Sequence, residues 1–251
     1  MTIEIRELEK TFPDGTRGLD GVDLVLDRPG FTVLTGPNGS GKSLLARHIL
    51  GLERPDRGTL TLDGRPVAKI LPETRRRVAL VFQEPEHQIL GLTVREDLEF
   101  GPRSAGVPKS MMATLVDKAL EAAGLRGLED RLTAALSGGE KRRLALASAL
   151  TASPELVILD EPFNDLDWQG ASDLLAAILG LGRSGVGILV VTHDLEKCLA
   201  HADRLVVMNR GKVVLDGLPA SLWHRLPEHG LRVPGTGPHA IRHMTWLKDS
   251  A

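Results

Sequence analysis

Residues 31–43 read "FTVLTGPNGSGKS", a short apolar stretch running straight into a glycine-rich one. Gly36–Ser43 fits G-x-x-x-x-G-K-[ST], whose mechanism asks for a strand before it and a helix after it. Both are predicted here: "FTVLT" as a strand, and Lys42 to Leu50 as a helix that stops at Gly51, a suitable C-cap. The glycines let backbone amides wrap phosphates, Lys42 reaches the terminal phosphates, and the Ser43 hydroxyl ligates Mg²⁺.

Working outward, residues 2–8 and 22–26 alternate polar and apolar and read as half-buried strands joined across the turn "PDGTRG". "GTLTLDG" (58–64) reads as another antiparallel strand and "VALVF" (78–82) as a buried one. Residues 84–135 change to helical patterning, clearest at Met112, Val116, Ala119 and Ala123 behind an N-cap candidate at Ser110. From 136 helices and strands alternate, and "LVILD" (156–160), "ILVVT" (188–192) and "LVVM" (205–208) are continuous apolar runs. Such runs suit parallel strands covered on both faces, so the chain is α/β. Residues 218–251 carry prolines, glycines and histidines with little periodicity.

The 251 residues suffice for one large domain or two small ones. A formal net charge of −2 gives no basic field for nucleic acid. The one cysteine, Cys198, excludes an intramolecular disulfide and a multi-cysteine zinc site. "MTIEIRELEK" lacks the apolar stretch of a signal peptide, and no apolar run approaches the roughly 20 residues that cross a bilayer. A cytosolic chain is expected.

Three further strand ends carry chemistry. "LVILDEP" puts Asp160 where a carboxylate can hold Mg²⁺, and Glu161, one residue on, is the candidate general base for a water. "ILVVTHD" presents His193 at the corresponding place on its own strand, where it could donate to a γ-phosphate. Gln83 ends "VALVF" and could touch Mg²⁺ and water. A second anion site is offered by "LSGGEKRR" (136–143), a serine and two glycines at a helix start.

The phosphate loop, Gln83, "LSGGE", "ILDEP" and "THD", in that order, resemble the ATP-binding cassette (ABC) family over roughly residues 2–217. The resemblance implies a P-loop NTPase core (RecA-like) with an N-terminal antiparallel β subdomain, an α-helical subdomain at about 84–135, and a short tail at 218–251. It implies ATP as substrate with Mg²⁺, held by Gly36, Pro37, Asn38, Gly39, Ser40, Gly41, Lys42, Ser43, Leu44 and Gln83. The metal would sit on Ser43, Gln83 and Asp160; Glu161 and His193 would be catalytic. Phe12 matches the aromatic that stacks on adenine, with Val22 near it, and "NDLD" (164–167) matches the loop at the dimer seam. In this family the signature loop, here Ser137, Gly138, Gly139 and Glu140, acts on the ATP of a partner. A head-to-tail pair with a second ABC ATPase, identical or related, follows.

"VFQEPEHQILGLTVREDLEFGP" (81–102) is most similar to the ATPases of energy-coupling factor (ECF) and cobalt–nickel uptake systems, as is "FPDGTRGLDGVDL" (12–24). That similarity implies an ATPase working at the cytoplasmic face of the cell membrane, with a transmembrane coupling protein and a substrate-binding membrane subunit, importing a vitamin or a transition-metal ion. It also implies a groove near Ile89, Leu90, Leu92, Val94, Leu98 and Phe100, ringed by Glu84, Glu86, Glu96 and Asp97, for an arginine-bearing helix of the coupling protein. The alternatives are another ABC transporter class or a non-transport ABC ATPase. Long coiled coils, zinc modules and fused cassettes, which mark non-transport members, are not in this chain. Glu140, Leu44, Asp165, Trp168 and His87 depart from the common pattern.

Overall fold

The computed structural model describes residues 1–27, 30–233 and 237–247. Strand β1 (Ile3–Thr11) pairs antiparallel with β2 (Arg17–Leu26), each burying alternate side chains. β3 (Phe31–Thr35) then runs into the glycine-rich loop and helix α1 (Lys42–Ile49), whose end is marked by Gly51 at φ 64°. β4 (Arg57–Leu62) returns to pair with β1, and β5 (Arg65–Pro66) completes a four-stranded antiparallel sheet ordered β2-β1-β4-β5.

Helix α2 (Leu71–Arg77) leads into β6 (Val78–Val81). The helical stretch follows as α3 (Val94–Ser104) and α4 (Lys109–Ala122), the latter capped by Pro108. Ser110, the expected N-cap, lies inside the first turn of α4. Proline preset at φ −58° sets the boundary two residues earlier. α5 (Gly138–Leu150) and β7 (Leu156–Asp160) precede α6 (Trp168–Arg183), β8 (Gly187–Val191), β9 (Arg204–Asn209) and β10 (Lys212–Gly217). The second sheet is ordered β10-β9-β3-β8-β7-β6, parallel except for β10.

Three cores organise these elements. One lies between the antiparallel sheet, α1 and one face of the parallel sheet, built on Ile3, Ile5, Leu45 and Val191. A second packs the opposite face under α5 and α6, through Val157, Leu159, Leu174 and Val190. The third belongs to the helical stretch and reaches past residue 135, because Leu144 and Ala147 of α5 join Val94, Leu98 and Leu120. β7 and β8 bury every residue, as strands covered on both faces must.

The segment after Gly217 is packed into the second core. Helix α7 (Pro219–Leu222) and the 3₁₀ turns behind it bury Leu222, Trp223, Leu226, Leu231 and Met244. Its weak periodicity follows from 3₁₀ turns, which do not repeat every 3.6 residues. Positions 234–236 and 248–251 of this tail lie outside the described residues.

Candidate nucleotide site

The parallel order β3-β8-β7-β6 brings four strand ends side by side, and each leads into one element of the site. Beyond β3 lies the glycine-rich loop, beyond β8 His193, beyond β7 Glu161, and beyond β6 Gln83. Ligands of open parallel sheets bind at this end of the strands. A cleft of about 590 Å³ opens there, lined by Phe12, Asn38–Leu44, Gln83, Glu161 and His193. A larger cleft of about 720 Å³ lies at the opposite end of the strands. Two of its charged residues are engaged structurally: Asp203 accepts from the Phe31 amide at 2.8 Å and Arg204 pairs with Asp216 at 2.6 Å.

The loop is shaped for close backbone approach. A Cβ on Gly36, at φ 148°, would lie 2.0 Å from the Met208 carbonyl oxygen, so only glycine fits. Gly41, at φ 101°, caps α1 without any side-chain hydrogen bond, which leaves the amides of the first turn open to an anion. Lys42 Nζ donates to the carbonyls of Gly36 at 2.8 Å and Pro37 at 3.1 Å, which hold it inside the loop. Burial pushes the ammonium below its ordinary value, while Glu161 and Asp160 oppose that shift.

Ser43 Oγ donates to Asp160 Oδ1 at 2.9 Å, so the two residues expected to share a metal meet across 117 positions of chain. Burial raises the Asp160 carboxyl above the usual carboxylate range. Hydroxyl and carboxylate oxygens suit Mg²⁺, which takes one or two protein ligands together with phosphate and water oxygens. Among the described residues, no group of three or more His, Cys, Asp or Glu could hold a metal by itself.

Glu161 is 7% exposed and sits at φ 46°, a conformation that is rarely populated by a residue with a side chain. Its amide donates to the Val191 carbonyl at 2.8 Å, tying it to the next strand. Thr192 Oγ1 donates to Oε2 at 3.0 Å; Oε1 takes the His193 amide at 3.1 Å and His193 Nδ1 at 2.8 Å. These bonds use three of about four acceptor positions on the carboxylate and leave room for a water. With Nδ1–H turned to Glu161, His193 Nε2 stays free; this tautomer is assigned from the hydrogen bond.

At the far end of the cleft the Phe12 ring is 41% exposed and packs beside Gly18, where a Cβ would lie 2.8 Å from it. Val22, expected near the base, is fully buried in the core under β1, because it falls on the inward face of β2. Thr16, Arg17, Gly18 and Asn164 line the cleft instead. Asn164 belongs to the "NDLD" stretch assigned to the dimer seam and residues 16–18 to the stretch 12–24, but none was expected in the cleft; their place follows from the β1–β2 turn and the loop after β7.

The turn at 136–140 lines no part of this cleft. Ser137, Gly138 and Gly139 border a separate concavity with Asp165 and Asp167. Ser137 caps α5 by accepting from the Glu140 amide at 3.2 Å, and Glu140 Oε2 accepts from the Ser137 amide at 2.7 Å. Glu140 also pairs with Arg131 at 3.1 Å, so its carboxylate is engaged within its own chain. Ser137 and Gly138 remain exposed.

The expected apolar groove divides. Val94 and Leu98 are buried and Ile89 packs against them, whereas Leu90, Phe100 and Met111 are exposed along a groove of about 660 Å³. Two of the four acids expected around it are structural. Glu96 closes the capping box of α3, and Asp97, 4% exposed, accepts from the Leu90 and Gly91 amides and from Ser148. Glu84 and Glu86 keep exposed side chains, at 66% and 57%.

A phosphate cradle at one end of a cleft and an exposed aromatic ring at the other define a P-loop nucleoside triphosphatase. The ABC transporter family matches residues 19–164. The energy-coupling factor transporter ATP-binding protein EcfA of Methanocaldococcus jannaschii is 38% identical over 92% of this chain and 85% of its own. The cobalt import ATP-binding protein CbiO of Syntrophus aciditrophicus is 39% identical over 98% of this chain and 89% of its own. The solved structure of cbiO1 from Clostridium perfringens, part of the cbiONQ complex, superposes with a TM-score of 0.82 at 31% identity. It covers 92% of this chain and 95% of that one. The chain belongs to the ABC transporter family, among the ATP-binding subunits of the ECF type. It is an ATPase, and its hydrolysis is coupled to transport.

Proposed function

We propose that the chain hydrolyses Mg²⁺–ATP at a site shared with a second ABC ATPase, and so drives an ECF-type importer from the cytoplasmic face of the membrane. The observation that carries this reading is the separation of its two anion cradles: Lys42 and Ser43 line one cavity, Ser137 and Gly138 another. Each is half a site, and a head-to-tail pair joins them twice.

Gly36–Ser43 wraps the phosphates and Phe12 stacks on the adenine; Ser43, Asp160 and Gln83 would hold Mg²⁺, which would supply positive charge to the phosphate oxygens. Glu161 takes the proton of the attacking water at its remaining lone pair. His193 is held by that same carboxylate with its ring facing the γ-phosphate, and it donates there from Nε2 only when both ring nitrogens carry a proton. Ser137 uses its oxygen in its own cap, which leaves the hydroxyl proton for the partner's ATP.

A transmembrane coupling protein would insert a helix into the groove of Leu90, Phe100 and Met111, with an arginine meeting Glu84 or Glu86, and a membrane subunit would select the cargo. One relative is named for cobalt import, which supports a transition-metal ion as cargo, with a vitamin as the alternative. No helix of the described residues is long and apolar enough to cross a membrane, so the path for cargo would lie in the partner subunits.

Sedimentation of Glu161→Gln with Mg²⁺–ATP tests the shared site. A dimer is expected for Glu161→Gln and a monomer for Glu161→Gln/Ser137→Arg; a monomer in both would overturn it.

A further inference from the structure

Glu161 opens the loop that joins β7 to α6, and two consecutive carbonyls of that loop are held by buried cations. Lys197 Nζ donates to the Phe163 carbonyl at 3.1 Å, and Arg142 Nη2 to the Asn164 carbonyl at 2.5 Å. The two side chains belong to residues only 9% and 7% exposed. A buried cation is costly unless its donors are satisfied, so these contacts fix geometry as well as charge. The loop needs such restraint, because Glu161 and Asp165 hold φ of 46° and 57°.

Lys197 has further partners on either side. It pairs with Asp194 Oδ2 at 3.2 Å and lies 4.6 Å from the centroid of the Trp246 ring. The Asp194 amide donates to Thr192 Oγ1 at 3.1 Å, and that hydroxyl donates to Glu161 Oε2 at 3.0 Å. Contacts therefore run without a break from Trp246 through Lys197, Asp194 and Thr192 to Glu161. Trp246 is itself tied down. Its amide donates to the Lys197 carbonyl at 3.0 Å, the Ala200 amide to the Met244 carbonyl at 3.0 Å, and His201 Nε2 lies 2.7 Å from Thr245 Oγ1.

We propose that the C-terminal segment positions the hydrolytic loop: Trp246 seats Lys197, and Lys197 holds the Phe163 carbonyl and the Asp194–Thr192 pair that aim the Glu161 carboxylate. Lys197 and Trp246 are positioning residues that touch no substrate. The inference rests on Glu161 being the base. Its energetic logic is that of orientation, where misplacement of a reacting group by about 1 Å can cost about 10²-fold in rate.

The test uses the full chain, with ATP turnover, ATP affinity and melting temperature measured together. Lys197→Met is expected to lower kcat about tenfold or more, with KM for ATP unchanged, and Lys197→Arg to restore most of it. Trp246→Phe keeps an aromatic face for the ammonium and the parental rate; Trp246→Leu keeps apolar bulk but loses that face, and kcat falls at an unchanged melting temperature. Parental kcat in both Lys197→Met and Trp246→Leu, with Glu161→Gln inactive, overturns the proposal and leaves the base assignment standing. Equal losses of kcat and melting temperature in Trp246→Phe and Trp246→Leu also overturn it, because packing alone would then explain them. A fully active Glu161→Gln removes the reading beneath.

Discussion

Glu161 combines features that a surface acid would not need. It is buried beside Lys42 and Asp160, its backbone is left-handed, and both carboxylate oxygens are held by the Thr192–His193 pair. An amide at this position keeps the volume and one acceptor but cannot take a proton. Glu161→Gln is therefore expected to bind ATP with parental affinity and to lose about 10²–10⁴-fold in turnover. Steady-state ATPase rates beside nucleotide titration check this, and a parental rate would dismiss Glu161 as base. Asp160 and Glu161 were legible in the sequence because an apolar strand followed by two acids is a local pattern. The Thr192 hydroxyl was not, since nothing near "VVTHD" says that it reaches a carboxylate 31 positions away.

At the scale of the element, α5 bears an unusual first turn. Glu140 closes the capping box with a charge, and the Ser137 amide holds its carboxyl below the usual carboxylate range. Because the folded value is lowered, this stabilisation is present above the ordinary 4.5 and is lost as pH falls through the folded value. Replacing Glu140 by Gln should cost about 0.3–1 kcal/mol near neutral pH, and the difference should vanish in acid; urea titrations across pH check the sign. The same substitution removes a negative charge beside Ser137 and Gly138. ATP-driven dimerisation should accordingly tighten, and dimerisation that weakens would contradict the role given to this turn.

For the whole molecule, the proposed shared site, with a half site in each of two cavities, makes complementation quantitative. Lys42→Ala and Ser137→Arg should each be inactive alone. A 1:1 mixture that exchanges at random contains mixed dimers with one intact site, so about a quarter of parental turnover should return. A mixture that stays inactive, with mixed dimers demonstrated, would count against head-to-tail pairing. The proposed docking groove gives a second measurement. Reversing Glu84 and Glu86 to lysine should weaken co-purification with the membrane partner and leave the soluble ATPase rate unchanged, since both side chains face solvent. Reversing Asp97 should instead unfold the helical region, because three donors converge on its buried carboxylate. If the lysine pair assembles normally, the acidic rim has no part in docking.

By itself the sequence determined the glycine-rich loop, the strand ends at Asp160, His193 and Gln83, the α/β class and the second anion turn. Each of these is a contiguous pattern whose chemistry depends on neighbouring residues. The tertiary structure alone decided which acids near the groove face solvent, that Val22 belongs to the core, and that the tail is packed against the segment after β8. It also decided that Arg142 and Lys197 grip adjacent carbonyls. A lysine in "DLEKC" or a tryptophan in "HMTWL" has no local signature, because a buried cation takes its partners from whatever the packed elements bring within 3 or 4 Å. That is settled by how β7, β8 and the C-terminal segment converge, which no short stretch of the chain encodes.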